Sequence, residues 1–185
     1  MMDKQNRFIK NYFSELETCI AQCDLQAFAN ASELINKVSK SSNKIIIAGN
    51  GGSAAIASHA AVDFTKAAGV RSICFNESSL LTCFSNDFGY EYWLENALSH
   101  YYDEGDLVIL ISSSGVSLNI LNAAKHIKNN SGNLITFSGF DAENDLRKMG
   151  KVNFYVQSSH YNMVENTHQI WLLALIDFYI NQKSK

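Results

Sequence analysis

Two acid–imidazole pairs stand at helical spacing in this chain of 185 residues. His59 and Asp63 are four residues apart, whereas Glu165 and His168 are three apart, so each pair shares one face of a predicted helix. A carboxylate and an imidazole held together can transfer a proton next to a carbonyl group, or they can bind a divalent metal. Taken alone, each pair is also typical of a local contact on a half-exposed helix, and both interpretations stay open.

The helix that carries His59 follows a glycine-rich turn, which we call the glycine loop (residues 50–53). Its residues are Asn50, Gly51, Gly52 and Ser53. A helix N-terminus presents unpaired N–H groups and partial positive charge, and glycines let a ligand approach the backbone, so such a turn binds phosphate. Because the Walker lysine and the third glycine of the dinucleotide fingerprint are both missing, a small phosphorylated metabolite is favoured over a nucleotide. The alternative is a tight turn without a ligand.

A second turn is rich in hydroxyl groups, and we call it the serine loop (residues 112–117). Its hydroxyls belong to Ser112, Ser113, Ser114 and Ser117. Hydroxyls and helix N–H groups can bind the terminal oxygens of a phosphate without a lysine. Two such loops predict a phosphorylated ligand at the carboxyl end of a parallel sheet, with a solvated serine turn as the alternative. Asp87 lies in a predicted turn, where it either caps a helix or accepts hydrogen bonds from sugar hydroxyls.

Hydrophobic patterning predicts the elements that position these loops. Short apolar runs, most of them nearly continuous, predict strands at residues 45–48, 72–75, 107–111, 134–137 and 152–156. Helices are predicted between them at 54–67, in two pieces between 78 and 102, at 118–129 and at 142–149. Two amphipathic helices, 4–22 and 25–40, precede the sheet, with Asp24 as a plausible N-cap, and a long helix over 162–181 follows it.

The alternation of strands and helices predicts an α/β fold, a three-layer sandwich whose five-stranded parallel sheet is flanked by helices. We expect one domain, made of a helical prefix (1–42), a sheet core (43–160) and a terminal helix (161–185). The aromatic residues Phe8, Tyr12 and Phe13 of the prefix either cap the core or form an oligomer interface.

The composition argues against several classes of function. A net charge of -3 weakens the case for a large basic surface, so no direct nucleic-acid partner is expected. Four cysteines without zinc-site spacing indicate a reduced, cytoplasmic protein. No apolar run reaches about 18 residues, so we expect no membrane-spanning segment.

Five short motifs resemble, in this order, those of the sugar isomerase (SIS) domain, and within it the phosphoheptose isomerase group. They lie at residues 49–53, 85–89, 104–108, 111–115 and 136–139. The resemblance covers essentially the whole chain and implies the SIS fold, a homotetramer whose active sites combine subunits, and no organic cofactor. It also implies isomerisation of sedoheptulose 7-phosphate to D-glycero-D-manno-heptose 7-phosphate, a precursor of surface polysaccharide such as lipopolysaccharide.

The resemblance further implies roles for individual residues. The residues expected to bind the phosphate are Ser53, Ser112, Ser113 and Ser117. The same substrate-binding set includes Gly51, Gly52 and Ser114. Asn50 and Asp87 match sugar-contacting positions. His59 matches a metal-ligand histidine, and Asp63 stands where the family has its catalytic glutamate.

Two positions of the terminal helix depart from the family. Glu165 stands where the family has a glutamine, and Leu173 stands at a catalytic, metal-binding histidine. Because leucine neither transfers protons nor binds metals, we expect His168 to take over, with Asp63 and Glu165 as the other catalytic groups. The expected zinc site is a weak one, formed by His59, Asp63, Glu165 and His168. Two functions stay open: an isomerase with a rearranged acid–base set, and a non-catalytic phosphosugar-binding protein similar to the family member that associates with a bacterial replication initiator.

Overall fold

Five parallel strands form one sheet in the computed structural model, which describes residues 2–183. The strands are β1 (Ile45–Gly49), β2 (Ser72–Cys74), β3 (Leu107–Ser112), β4 (Asn133–Ser138) and β5 (Val152–Tyr155). Their order in the sheet is β2-β1-β3-β4-β5, and Ile109 of β3 lies in register with Ile47 of β1 and Ile135 of β4. The strand order reverses between β1 and β3, and open α/β sheets bind ligands at such a point, beyond the carboxyl ends of the strands.

Helices cover both faces of this sheet. They are α1 (Met2–Ala21), α2 (Leu25–Ser39), α3 (Gly52–Lys66), α4 (Ser78–Phe88), α5 (Trp93–Tyr101), α6 (Leu118–Asn129) and α7 (Tyr161–Lys183). On β1, Ile45 and Ile47 join the core formed with α2, α3 and α7, whereas Ile46 and Ala48 join the core formed with α5 and α6. This division follows from the alternation of side chains along a strand, and it confirms the predicted three-layer sandwich. No helix within residues 2–183 is long and apolar enough to cross a membrane.

One predicted helix is wrong. Over 142–149 the structure contains only a short 3-10 helix, Leu146–Lys148. The side chain of Asn144 donates to the carbonyl of Asp141 at 2.7 Å and accepts from the backbone N–H of Arg147 at 3.0 Å. These side-chain bonds replace the backbone bonds that a helix would need here, a competition typical of asparagine.

The first helix leaves much of its apolar face uncovered. Phe8, Ile9 and Phe13 are 67%, 50% and 62% exposed. Tyr12 and Leu16 pack against the core that contains α7. Of the three aromatic residues considered at the start of the prefix, only Tyr12 therefore helps to cap the core of its own chain.

Candidate active site

The glycine loop and the serine loop meet at a cavity of about 250 Å³ beyond the carboxyl ends of β1 and β3. The cavity is lined by Asn50, Gly51, Gly52, Ser53, Ser112, Ser113, Ser114, Ser117, Tyr161 and Glu165. The loops start side by side because Gly49 of β1 is in register with Ile111 of β3. The structure thus brings together every predicted substrate-binding residue except Asp87, but of the predicted acids and imidazoles only Glu165.

The glycine loop ends at an uncapped helix. Gly51 has a φ of +54°, in the left-handed region that glycine adopts without strain. α3 begins at Gly52, and no side chain caps its N-terminus. Its first N–H groups and the positive end of the helix dipole are therefore available to an anion in the cavity.

The serine loop presents a hydroxyl with no partner. Ser112 Oγ accepts from the N–H of Gly115 at 3.2 Å and lies 3.4 Å from Ser117 Oγ. Ser113 is 5% exposed, and its buried Oγ has no hydrogen-bond partner within residues 2–183. An unpaired buried hydroxyl costs about 1–3 kcal/mol. A ligand oxygen that hydrogen-bonds to Ser113 would remove this cost.

Asn144 supports the serine loop from behind, although nothing in its local sequence marks it. It is buried, and its amide lies 3.2 Å from Ser138 Oγ and 3.1 Å from the carbonyl of Gly139. A Cβ added to Gly115 would overlap the Asn144 side chain, so the loop needs glycine there. The N–H of Gly139 in turn donates to the carbonyl of Ser113 at 2.9 Å. The end of β4 thereby fixes the serine loop.

Glu165 approaches the cavity from the second turn of α7. A Cβ added to Gly52 would overlap the carboxylate of Glu165, so the missing side chain at Gly52 makes room for an acid. Burial raises the pKa of Glu165 above its ordinary value. Among the residues that line the cavity, Glu165 carries the only carboxylate. The arrangement can place one proton-transferring group beside a bound oxyanion.

The pair formed by His59 and Asp63 is present but lies outside this cavity. Nε2 of His59 is 3.2 Å from Oδ2 of Asp63 on α3, and the side chains are 49% and 36% exposed. Neither residue lines the cavity. Within one chain the pair is thus a local contact on a half-exposed helix face, the alternative that its spacing left open.

The structure places His168, predicted to be catalytic and to bind a metal, in the core and not in the cavity. Its ring is fully buried, Nε2 lies 3.0 Å from the carbonyl oxygen of Ser138, and Phe137 packs edge-on against it. Burial lowers the pKa of His168 to about 4, so the ring is neutral near pH 7. His168 lies three residues beyond Glu165, about 4.5 Å further along the helix. Because of this difference in position, the side chain of Glu165 lines the cavity, whereas that of His168 lies in the core.

The predicted zinc ligands do not form a metal site in one chain. Residues 2–183 contain no group of three or more histidine, cysteine, aspartate or glutamate side chains arranged to hold a metal ion. His59 and Asp63 lie on the half-exposed face of α3, and Glu165 lines the cavity. His168 is buried in the core, where its ring lies within hydrogen-bond distance of Ser138. Leu173, at the position for which the resemblance implies a histidine, packs against the core. Within residues 2–183 of one chain, the donor set therefore does not fit zinc.

The prediction that places Asp87 in a turn is also wrong. Asp87 lies in the last turn of α4, is exposed, and accepts from Nδ2 of its neighbour Asn86 at 2.9 Å. It does not line the cavity. The segment after α4 reaches the site through a different residue, because the hydroxyl of Tyr90 donates to Oδ1 of Asn50 at 3.0 Å.

Two further residues of the site carried no sequence signal. Tyr161 lines the cavity at the start of α7 and packs against Phe140, with ring centroids 4.8 Å apart. Asn119, in the first turn of α6, is only 2% exposed and hydrogen-bonds to the amide of Asn50. Only the fold brings together residues that are 69 positions apart.

Comparison with known proteins places the chain among sugar isomerase domains. Residues 8–139 match the family model described as SIS domain. A phosphoheptose isomerase from Pectobacterium atrosepticum is 30% identical over 157 residues, which cover 82% of this chain and 80% of the relative. One from Aliarcobacter butzleri is 28% identical over 188 residues, covering 97% and 99%. The structure of phosphoheptose isomerase from Neisseria gonorrhoeae has the same fold, with a TM-score of 0.85 at 24% identity over 95% of this chain and 98% of that chain.

Proposed function

We propose that this chain, which belongs to the SIS domain family, is an isomerase that interconverts a ketose phosphate and an aldose phosphate. The observation that carries the proposal is the cavity in which two oxyanion-binding loops and the carboxylate of Glu165 meet. The relatives named phosphoheptose isomerase favour sedoheptulose 7-phosphate as substrate and D-glycero-D-manno-heptose 7-phosphate as product. The product would supply the synthesis of surface polysaccharide.

The phosphate group binds between the two loops in this proposal. The uncapped start of α3 supplies N–H groups and positive potential, and the serine loop supplies hydroxyls. The unpartnered hydroxyl of Ser113 gains a hydrogen bond from the ligand. Within residues 2–183 no lysine or arginine lines the cavity, so binding depends there on neutral donors and the helix dipole.

Glu165 is the proposed acid–base group. Ionised, it removes a proton from the carbon next to the carbonyl and leaves an enediolate. The hydroxyl proton of the enediolate then passes to the former carbonyl oxygen, and Glu165, whose proton can exchange with solvent, returns a proton to the neighbouring carbon. The burial that raises its pKa also makes its carboxylate a stronger base. No step passes through zinc, because the donor set of a single chain, within residues 2–183, does not fit a metal.

We propose a homotetramer built around the prefix (1–42), with residues 1–185 acting as a single SIS domain. The exposed apolar side chains of α1 support such an interface. In an assembly, the exposed pair of His59 and Asp63 could meet the cavity of a second copy, which keeps Asp63 as the other candidate base. Sedimentation equilibrium tests the assembly, and a stable monomer at micromolar concentration would contradict it.

Proton exchange with solvent tests the catalytic proposal. Purified protein is incubated with sedoheptulose 7-phosphate in deuterated water, and incorporation of deuterium into the sugar is followed by NMR. Glu165→Gln is expected to slow the exchange by roughly 10²–10⁴-fold, because an amide cannot accept the proton. Glu143→Gln, which changes an exposed glutamate outside the cavity, is the matched control and keeps the wild-type rate. Exchange at the wild-type rate in Glu165→Gln would exclude this base, and Asp63→Asn would then test the other.

Leu173 favours a second candidate function, phosphosugar binding without catalysis. Its side chain packs against the core at the position where the family has a histidine. Calorimetry together with the deuterium exchange separates the two functions, because a non-catalytic protein binds sedoheptulose 7-phosphate but catalyses no incorporation of deuterium into it.

A further inference from the structure

A reciprocal pair of amide side chains joins the glycine loop to the serine loop. Nδ2 of Asn50 donates to Oδ1 of Asn119 at 3.0 Å, and Nδ2 of Asn119 donates to Oδ1 of Asn50 at 2.9 Å. Asn50 belongs to the glycine loop, and Asn119 lies in the first turn of α6, directly after the serine loop. Two antiparallel hydrogen bonds fix both the separation and the relative orientation of the amides, which a single bond does not.

The hydrogen bonds of Asn50 leave little for a ligand. Its Oδ1 accepts from Asn119 and also from the hydroxyl of Tyr90 at 3.0 Å, which uses both acceptor sites of the oxygen. Its Nδ2 carries two hydrogens, one of which is donated to Asn119. Within residues 2–183, the side chain of Asn50 therefore has one free N–H donor and no free acceptor to offer to a molecule in the cavity.

We infer that Asn119 is a positioning residue that acts through Asn50. It holds the glycine loop and the serine loop at the separation that one phosphosugar requires, and it limits Asn50 to donating a single hydrogen bond to that ligand. This inference rests on the proposed function, since it assumes that both loops bind one phosphorylated molecule.

Burial and location support this role. Asn119 is 2% exposed and does not line the cavity, so it reaches a ligand only through another residue. A buried amide is costly unless it is hydrogen-bonded. Loss of Asn50 or of Asn119 would leave the other amide without its partner and release the restraint between the loops. The N-terminal ends of α3 and α6 would then no longer be joined by these two hydrogen bonds.

A double-mutant cycle tests the inference. Wild type, Asn50→Ala, Asn119→Ala and the double variant are titrated by calorimetry with inorganic phosphate and with sedoheptulose 7-phosphate. Each single substitution is expected to weaken binding of both probes about tenfold. The double variant should be within about threefold of the weaker single variant, because either substitution already breaks the same contact. Asn129→Ala, an exposed change at the far end of α6, is the matched control and keeps wild-type affinity.

Turnover provides a second readout. If Asn119 positions the loops, Asn119→Ala should raise KM about tenfold and change kcat less than about threefold, because Glu165 is held by α7 rather than by this pair. A general loosening of the fold would lower kcat and the thermal unfolding midpoint together. If Asn119→Ala does not fold, Asn119→Ser takes its place in the same cycle with the same criteria.

The outcomes separate the inference from the proposed function. Wild-type affinity in Asn119→Ala, or losses that multiply in the double variant, would show that Asn119 does not act through Asn50 and overturn the inference alone. A wild-type protein that binds neither probe would overturn the proposed function and the inference with it. Binding by the wild type and a non-additive loss in the variants would support both.

Discussion

Acid is expected to destabilise the folded protein through His168. Burial lowers the pKa of this ring from 6.5 to about 4 in the folded state, although its hydrogen bond to Ser138 opposes the shift. Between these two pH values the unfolded chain binds a proton that the folded chain does not. Stability is therefore unaffected by this group above about pH 6.5, falls as the pH drops towards 4, and levels off below it.

The size of this effect follows from the shift. The difference between 6.5 and about 4 corresponds to about 3 kcal/mol when fully expressed, at 1.36 kcal/mol for each pH unit. At pH 5 the same linkage gives about 2 kcal/mol. Because the ring is fully buried, solvent screening does not reduce this figure as it would at the surface.

Urea unfolding followed by circular dichroism measures the effect at pH 7.5 and pH 5.0, at one protein concentration because assembly also contributes to stability. His168→Gln offers a neutral donor near the position of Nε2, so the variant should lose about 2 kcal/mol less than wild type between the two pH values. His100→Gln, which changes an exposed histidine, is the control and should behave like wild type. If His168→Gln loses as much stability as wild type, the buried ring does not carry the acid sensitivity and the reasoning fails.

Two substitutions in the loops are expected to separate acid–base chemistry from phosphate binding. Gly52→Ala should lower kcat at least about tenfold, because the new methyl group displaces the carboxylate of Glu165. Steady-state kinetics measures this change. An unchanged kcat would show that the contact between Gly52 and Glu165 is unimportant for catalysis. Ser113→Ala should weaken binding of sedoheptulose 7-phosphate about tenfold to a hundredfold, since a hydrogen bond to a charged phosphate is lost. Calorimetry measures the affinity, with Ser99→Ala, which changes an exposed serine, as the control. Equal affinities of the two variants would show that Ser113 does not bind the phosphate.

The sheet and most helices could be predicted from the sequence because their signals are local. Apolar runs mark the strands, and Asp24 begins α2 as expected, accepting from the N–H groups of Gln26 and Ala27 at 2.8 and 3.1 Å. The predicted helix over 142–149 failed because its pattern says nothing about the side chain of Asn144, whose hydrogen bonds compete with the helix. Hydrophobic spacing thus predicts a helix or strand, but it does not reveal a side chain whose hydrogen bonds prevent that helix from forming.

The site could be predicted only in part. Both loops can be predicted because glycine and serine cluster directly after strands. The role of His168, in contrast, depends on how deeply its side chain is buried. Spacing places His168 on the same helix face as Glu165, and only the packing of α7 shows that one side chain lines the cavity while the other lies in the core. The pair of Asn50 and Asn119 had no signal at all, since two common residues far apart in sequence meet only in the fold.

Leu173, at the position for which the resemblance implies a histidine, does not by itself remove the proposed chemistry. In an enediol isomerisation a proton leaves one carbon and is returned to its neighbour, so a single carboxylate can serve both carbon steps, while the hydroxyl proton passes between the two oxygens of the enediolate. The negative charge that develops on the carbonyl oxygen must also be stabilised by a hydrogen-bond donor. The contact between Glu165 and Gly52 holds the carboxylate beside the turn that binds the phosphate in the proposed function. The same contact gives glycine a function at this position, because the acid and the anion-binding turn share the space that a side chain would fill.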